Sequence, residues 1–171
     1  MNTVQSPPDP NVLARAAAKV KRHVLPLFVV MFIVNYIDRV NIGFVRSHME
    51  TDLGIGAAAY GLGAGLFFIG YAIFEVPSNM LLQRYGARAW LTRIMFTWGA
   101  AAMAMAFVRG ETSFYVLRFV LGAAEAGFFP GIIYYFTQWL PSTERGKAMA
   151  IFLSGSAIAS VISGPVSGAL L

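Results

Sequence analysis

The sequence contains no cysteine, two histidines and few charges: 13 Lys or Arg and 8 Asp or Glu in 171 residues, 12% in all. Without cysteine there is no disulfide, no thiolate metal site and no cysteine nucleophile. His23 and His48 both stand at the edges of apolar runs. No run carries a zinc-binding His pair or a Ser–His combination, so an intramembrane enzyme has no residues to work with. A soluble domain carries about twice this charge fraction. What fills the chain instead is apolar, 57% hydrophobic residues with a mean hydropathy of +0.63, gathered into several long runs. The sequence reads as an all-α, polytopic membrane protein.

The net charge of +5 raises nucleic acid as a partner, and its distribution argues against it. Basic residues gather at Arg15 to Arg22, Arg84 to Arg93 and Arg145 to Lys147, each beside an apolar run. That is a topology signal, not a groove that tracks phosphates. A cleaved signal peptide is excluded too, because the first run is too long, is interrupted by charges and is followed by others of its kind.

Windows of about 19 residues give five spans, at about 24–45, 60–82, 90–108, 113–140 and 146–171. Pro26 falls in the first turn of the first span, where proline is tolerated. Residues 1–23 form a basic tail, and 24–171 a partial transmembrane domain. The tail, with "SPPDP", is expected to be flexible to about Val12. Ala14 to Arg22 reads either as a topology signal or as a short basic helix on the membrane surface. Residues 1–23, 83–93 and 141–147 hold nine Lys or Arg, whereas 46–59 and 109–112 hold two. Positive-inside reasoning puts the amino terminus in the cytoplasm, consistently across all five spans.

An Asp or Arg at the centre of a membrane helix costs about 2.5–3.5 kcal/mol on insertion scales. Five such residues occur: Asp38 and Arg39 in the first span, Glu75 in the second, Arg118 and Glu125 in the fourth. They should face the bundle interior and mark a functional site. Adjacent residues point about 100° apart on a helix, so Asp38 and Arg39 can reach different partners. Seven residues return Arg118 and Glu125 to nearly one face, about 10 Å apart along the axis. A cavity lined by two arginines and two acids suits an anion whose binding is coupled to protonation. Burial favours the neutral form of a carboxyl and a nearby arginine the ionised form, so a changing partner can switch proton affinity. The competing reading is a set of fixed ion pairs that specify packing. Glu75, nearer a span end, fits both readings equally.

Tyr36 and Tyr71 are mid-span hydroxyls that need partners, in a cavity or in the core. Asn35 and Asn41 are amides of the kind that often bond only a neighbouring helix. "GLGAGLFFIG", Gly61 to Gly70, has no strand before it, which removes a nucleotide-binding reading and leaves close helix approach. "GFFPG", Gly127 to Gly131, predicts a kink just past Glu125, with Pro130 as its cause. "GPVSG", Gly164 to Gly168, suits a tightly packed fifth span. Met95, Met103 and Met105 read as packing residues.

Four stretches in order, "NYIDRVNIGF", "GYAIFEVPSNMLLQRYGARAW", "RFVLGAAEAGFFPGIIYYFTQWLP" and "ERGKAMA", carry a resemblance. The chain resembles the amino-terminal part of a major facilitator superfamily transporter. Within that superfamily it is similar to the anion:cation symporters, which include sugar-acid, tartrate and phthalate permeases. The resemblance implies a six-helix amino-terminal bundle, here partial, in a multi-pass protein of the bacterial inner membrane. It implies proton-coupled symport of a small organic anion by alternating access, with no cofactor besides the coupling proton. Asp38 and Glu125 would then be proton-coupling acids, and Arg39 and Arg118 would contact or govern the substrate carboxylate. Tyr36 and Tyr71 would line the substrate cavity, with Glu75 and Asn35 as accessories. The signature between the second and third spans departs from the superfamily's pattern: Asn79 stands for its first Gly and Gln83 for its Asp, while Arg84, Gly86 and Arg88 remain. The sequence stops in the fifth span, so the partners expected beyond the lipid bilayer and the anion include a carboxy-terminal half. The alternative expectation is a non-transporting five-helix remnant or assembly partner.

Overall fold

A computed structural model describes residues 10–44 and 46–170. The amino-terminal nine residues, whose flexibility the sequence suggests, lie outside the described residues, as do Val45 and Leu171. The elements are α1 (Pro10–Lys19), a π turn (Val20–Val24), α2 (Leu25–Phe44), α3 (Arg46–Leu53), α4 (Ala57–Tyr85) and α5 (Ala87–Ala104). After a 3₁₀ turn (Met105–Phe107) come α6 (Glu111–Glu125), α7 (Phe128–Trp139) and α8 (Ser142–Leu170). No strand occurs among the described residues.

Residues 14–44, 57–85, 111–139 and 142–166 are long and apolar enough to cross a membrane. The third sequence-derived span is shorter. α5 has 18 residues, with Arg88 and Arg93 in its first two turns, and falls outside that set. Its length of about 27 Å is still close to the thickness of a hydrocarbon core, and it packs beside α4, α6 and α7.

The basic segment is helical and continuous with the first span, which corrects the placing of Pro26 in a first turn. Proline has no N–H to offer the carbonyl four residues back, and its ring crowds that carbonyl. The ladder widens just before it: the Leu25 N–H bonds the Val20 carbonyl, an i→i−5 closure. Within the turn, Lys21 forms a 3.1 Å ion pair with Glu144 at the start of α8. Arg145 donates to two carbonyls at the end of α7, that of Thr137 and that of Leu140 just after the helix, both at 2.8 Å. Those carbonyls have no partner within their own helix, so the arginine closes it.

The closest seam joins α4 to α6, and glycine makes it. A Cβ on Gly122 would run into the Phe67 carbonyl, and one on Gly70 into the Phe119 carbonyl. Small residues at these crossings let the two backbones touch. A second seam joins α2 to α8, where buried Ser163 donates to the Asn41 side chain at 3.3 Å. Asn41 thus ties two helices together.

The kink expected after Glu125 is a full break. Ala126 is extended and Gly127 is left-handed, at φ 87°, before α7 begins at Phe128. The cause is Gly127 and not Pro130, which lies in the first turn of α7, where a missing N–H costs little. Any side chain at 127 would also strike Ser78, whose hydroxyl accepts the Trp90 indole N–H at 3.0 Å.

Candidate functional site

α2 and α6 supply the charges, and they cross over. Arg39 on α2 forms an ion pair with Glu125 at the end of α6. Asp38, one residue earlier, has Arg118 of α6 as its main electrostatic partner, without closing to ion-pair distance. The side chain of Glu125 is 3% exposed and that of Arg39 36%. Arg118 is buried at 4% exposure, and its Nε has no hydrogen-bond partner. Buried charges of this kind are costly unless matched by opposite charge, and each acid here faces an arginine of the other helix.

One cavity with all four charges, as the sequence suggests, resolves into two chambers. A mid-span chamber of about 280 Å³ is lined by Arg39, Glu125, Asn35, Tyr36, Tyr71 and the rings of Phe32, Phe68, Phe128 and Phe129. A loop-side chamber of about 250 Å³ is lined by Asp38, Arg118, Asn41, Met49, Leu53 of α3, and Met105, Ala106 and Val108 beyond α5. Two helix geometries separate them. The 100° between Asp38 and Arg39 aims them apart, and two turns of helix hold Arg118 away from Glu125. The buried ring of Phe67, 2% exposed, lines neither chamber and lies beside an arginine of each.

The other candidates fall into place around this pair of chambers. The buried amide of Asn35 lies beside Glu125. Tyr36 and Tyr71 both line the mid-span chamber, and Arg39 sits 5.9 Å over the Tyr71 ring. Glu75 lines neither chamber and forms no ion pair among the described residues. Its backbone carbonyl accepts from the Asn79 amide at 2.9 Å. No group of three His, Asp or Glu fit to hold a metal occurs among the described residues.

Two residues at the site escape sequence reasoning. Phe67 looks like any apolar residue of a span. Trp98 of α5, 6% exposed, lies beside Asp38, and its indole N–H has no bond of ordinary geometry. A tryptophan in mid-membrane, away from the interface where it is ordinarily enriched, is the signal that could have found it.

Residues 28–171 match the family model described as Major Facilitator Superfamily. Among curated relatives, a "Quinolone resistance transporter" of Acinetobacter baumannii is 58% identical over 86% of this chain and 34% of its own. A "Putative metabolite transport protein NicT" of Pseudomonas putida is 52% identical over 88% of this chain and 35% of its own. A "Putative tartrate transporter" of Agrobacterium vitis is 48% identical over 92% and 35%. The chain spans about a third of the length of these relatives.

Proposed function

The chain belongs to the Major Facilitator Superfamily, and on that premise we propose that it is the amino-terminal part of a proton-coupled symporter for a small organic anion. The observation that carries this reading is the crossed pairing of acids and arginines on α2 and α6. A carboxylate entering the mid-span chamber competes with Glu125 for Arg39. Once it succeeds, Glu125 is left buried without its cation, and a proton is the charge that can replace it. Anion and proton therefore enter together. Asp38 and Arg118 repeat the arrangement in the loop-side chamber. Tyr36 and Tyr71 supply hydroxyls, and Asn35 holds the Glu125 carboxylate. The rocking of a six-helix half against its counterpart would expose the site to each side in turn. The relative named a tartrate transporter fits a carboxylate substrate. The reading places the protein in a bacterial inner membrane, with its amino terminus and the loops at 83–93 and 141–147 in the cytoplasm.

The test is uptake of labelled carboxylates into proteoliposomes by the full-length protein that carries this segment, at several pH values. Uptake should rise as the outside is made more acidic, lose its pH dependence in Glu125→Gln, and lose affinity in Arg39→Gln. Unchanged pH dependence in both Asp38→Asn and Glu125→Gln would sink the coupling assignment.

A second reading has its own support in the relative named a quinolone resistance transporter and in the four phenylalanines around the mid-span chamber. It is export of an aromatic drug. Everted vesicles separate the two: an exporter accumulates a quinolone on acidification of the lumen, and a symporter does not.

A further inference from the structure

The ring of Phe67 touches both arginines of the site. The Arg39 guanidinium carbon lies 5.3 Å from its centroid and that of Arg118 4.6 Å, both within cation–π range. The two arginines come from α2 and α6 and line different chambers, whereas the ring comes from α4. It is held firmly. The α4 backbone at Phe67 rests on Gly122 of α6, and the ring packs in a buried cluster with Trp98, Ala101 and Leu121. A fixed ring thus carries two long, flexible cations.

A single ring has a single quadrupole. Each of two cations feels that attraction, but they repel each other across the ring, so each weakens the other's hold. Neutralise one with an anion, and the ring holds the other more tightly. We propose that Phe67 is a positioning residue shared by Arg39 and Arg118, through which an anion at Arg39 changes how Arg118 is held and so what Asp38 faces. The coupling is reciprocal, as any binding linkage must be. It explains how two chambers with separate acids can act as one site, and its consequence for transport rests on the symport reading above. The groups around the two acids are accounted for: Asp38 faces Arg118, Arg39 and the Trp98 indole, and Glu125 faces Arg39, Asn35 and Asp38. Tyr71 stands beside Arg39 and Glu125.

The test replaces Phe67 with mono-, di- and trifluorophenylalanine in the full-length protein, which drains the quadrupole while nearly keeping the ring's size. Thermal melts of the purified protein need no substrate. Fluorination should lower the melting temperature in Arg39→Gln and in Arg118→Gln. It should lower it in the unsubstituted background by less than the sum of those two effects, and leave the Arg39→Gln/Arg118→Gln double variant unmoved. An equal effect in the double variant, or no effect anywhere, overturns the proposal. In proteoliposomes, KM for a carboxylate should rise stepwise to about fivefold with trifluorophenylalanine, with kcat little changed and the pH dependence of KM flattened. Phe67→Leu should behave like the trifluorinated protein, and a KM in Phe67→Leu equal to that of the unsubstituted protein overturns the proposal as well. If the unsubstituted protein takes up no organic anion at any pH, the symport reading fails, and the melts still decide the shared ring.

Discussion

The two chambers hold the same pair of charges in different states. In the mid-span chamber Arg39 and Glu125 are closed into an ion pair among aromatic rings. In the loop-side chamber Asp38 and Arg118 stand apart among Met and aliphatic side chains. The Nε of each arginine lacks a hydrogen-bond partner, so what differs is the ion pair: a closed one must be opened by a competitor, whereas an open one need not be. The comparison teaches that chemistry alone does not set the role of a buried acid and base. On the proposed function, which of them is already matched decides where an incoming anion must compete and where it needs only to arrive.

The largest effect should come from removing the seam that holds the chambers together. Gly122→Leu drives a side chain into the α4 backbone, and no folded full-length protein should be recovered after detergent extraction and size-exclusion chromatography. Next comes breaking the closed pair from one side. Glu125→Ala leaves Arg39 without its counter-ion and should destabilise by about 1–3 kcal/mol, less than an orphaned buried charge costs because the Arg39 side chain is 36% exposed, read as a lowered melting temperature, whereas Glu125→Gln keeps a hydrogen-bond acceptor and should lose less. Opening the other chamber further should cost less. Asp38→Asn removes an acid that is not in ion-pair contact, and should alter the pH profile of uptake more than the melting temperature. A smaller effect on the pH profile is expected from Trp98→Phe, which removes the indole N–H together with part of a buried ring and should move the profile in the direction of the Asp38→Asn change at reduced size. Smallest of all is Lys21→Ala. Its pair with Glu144 is exposed, and pairs of that kind contribute about 0–1 kcal/mol, so melting temperature and uptake should both stay put.

Much of this was legible in the residues. Hydropathy marked five runs, four of which overlap helices long and apolar enough to cross a membrane, and the expense of charge in lipid singled out Asp38, Arg39, Glu75, Arg118 and Glu125, of which all but Glu75 line the two chambers. The helical repeat foretold that Asp38 and Arg39 would diverge. What the sequence did not carry was depth. Seven residues on one face suggested a common cavity, yet about 10 Å along the helix sets Arg118 and Glu125 in two separate ones. Pro26 read as a tolerated first-turn proline and Pro130 as the cause of a kink, but the effects depend on what surrounds them. Pro26 lies inside a longer helix and is absorbed by a π turn, while Gly127, backed against Ser78, makes the break credited to Pro130. Phe67 was silent because a phenylalanine in an apolar run has no local signature of what its ring will face, whereas the mid-span position of Trp98 was a signal that went unread.

The central claim is that an anion taking Arg39 from Glu125 brings a proton with it. It is tested most directly by measuring proton uptake from a weakly buffered solution when a carboxylate is added to the purified full-length protein. The account predicts uptake of protons by the unsubstituted protein and a clear reduction in Glu125→Gln under saturating anion. Undiminished proton uptake in Glu125→Gln, or anion binding with no proton uptake in the unsubstituted protein, would contradict it.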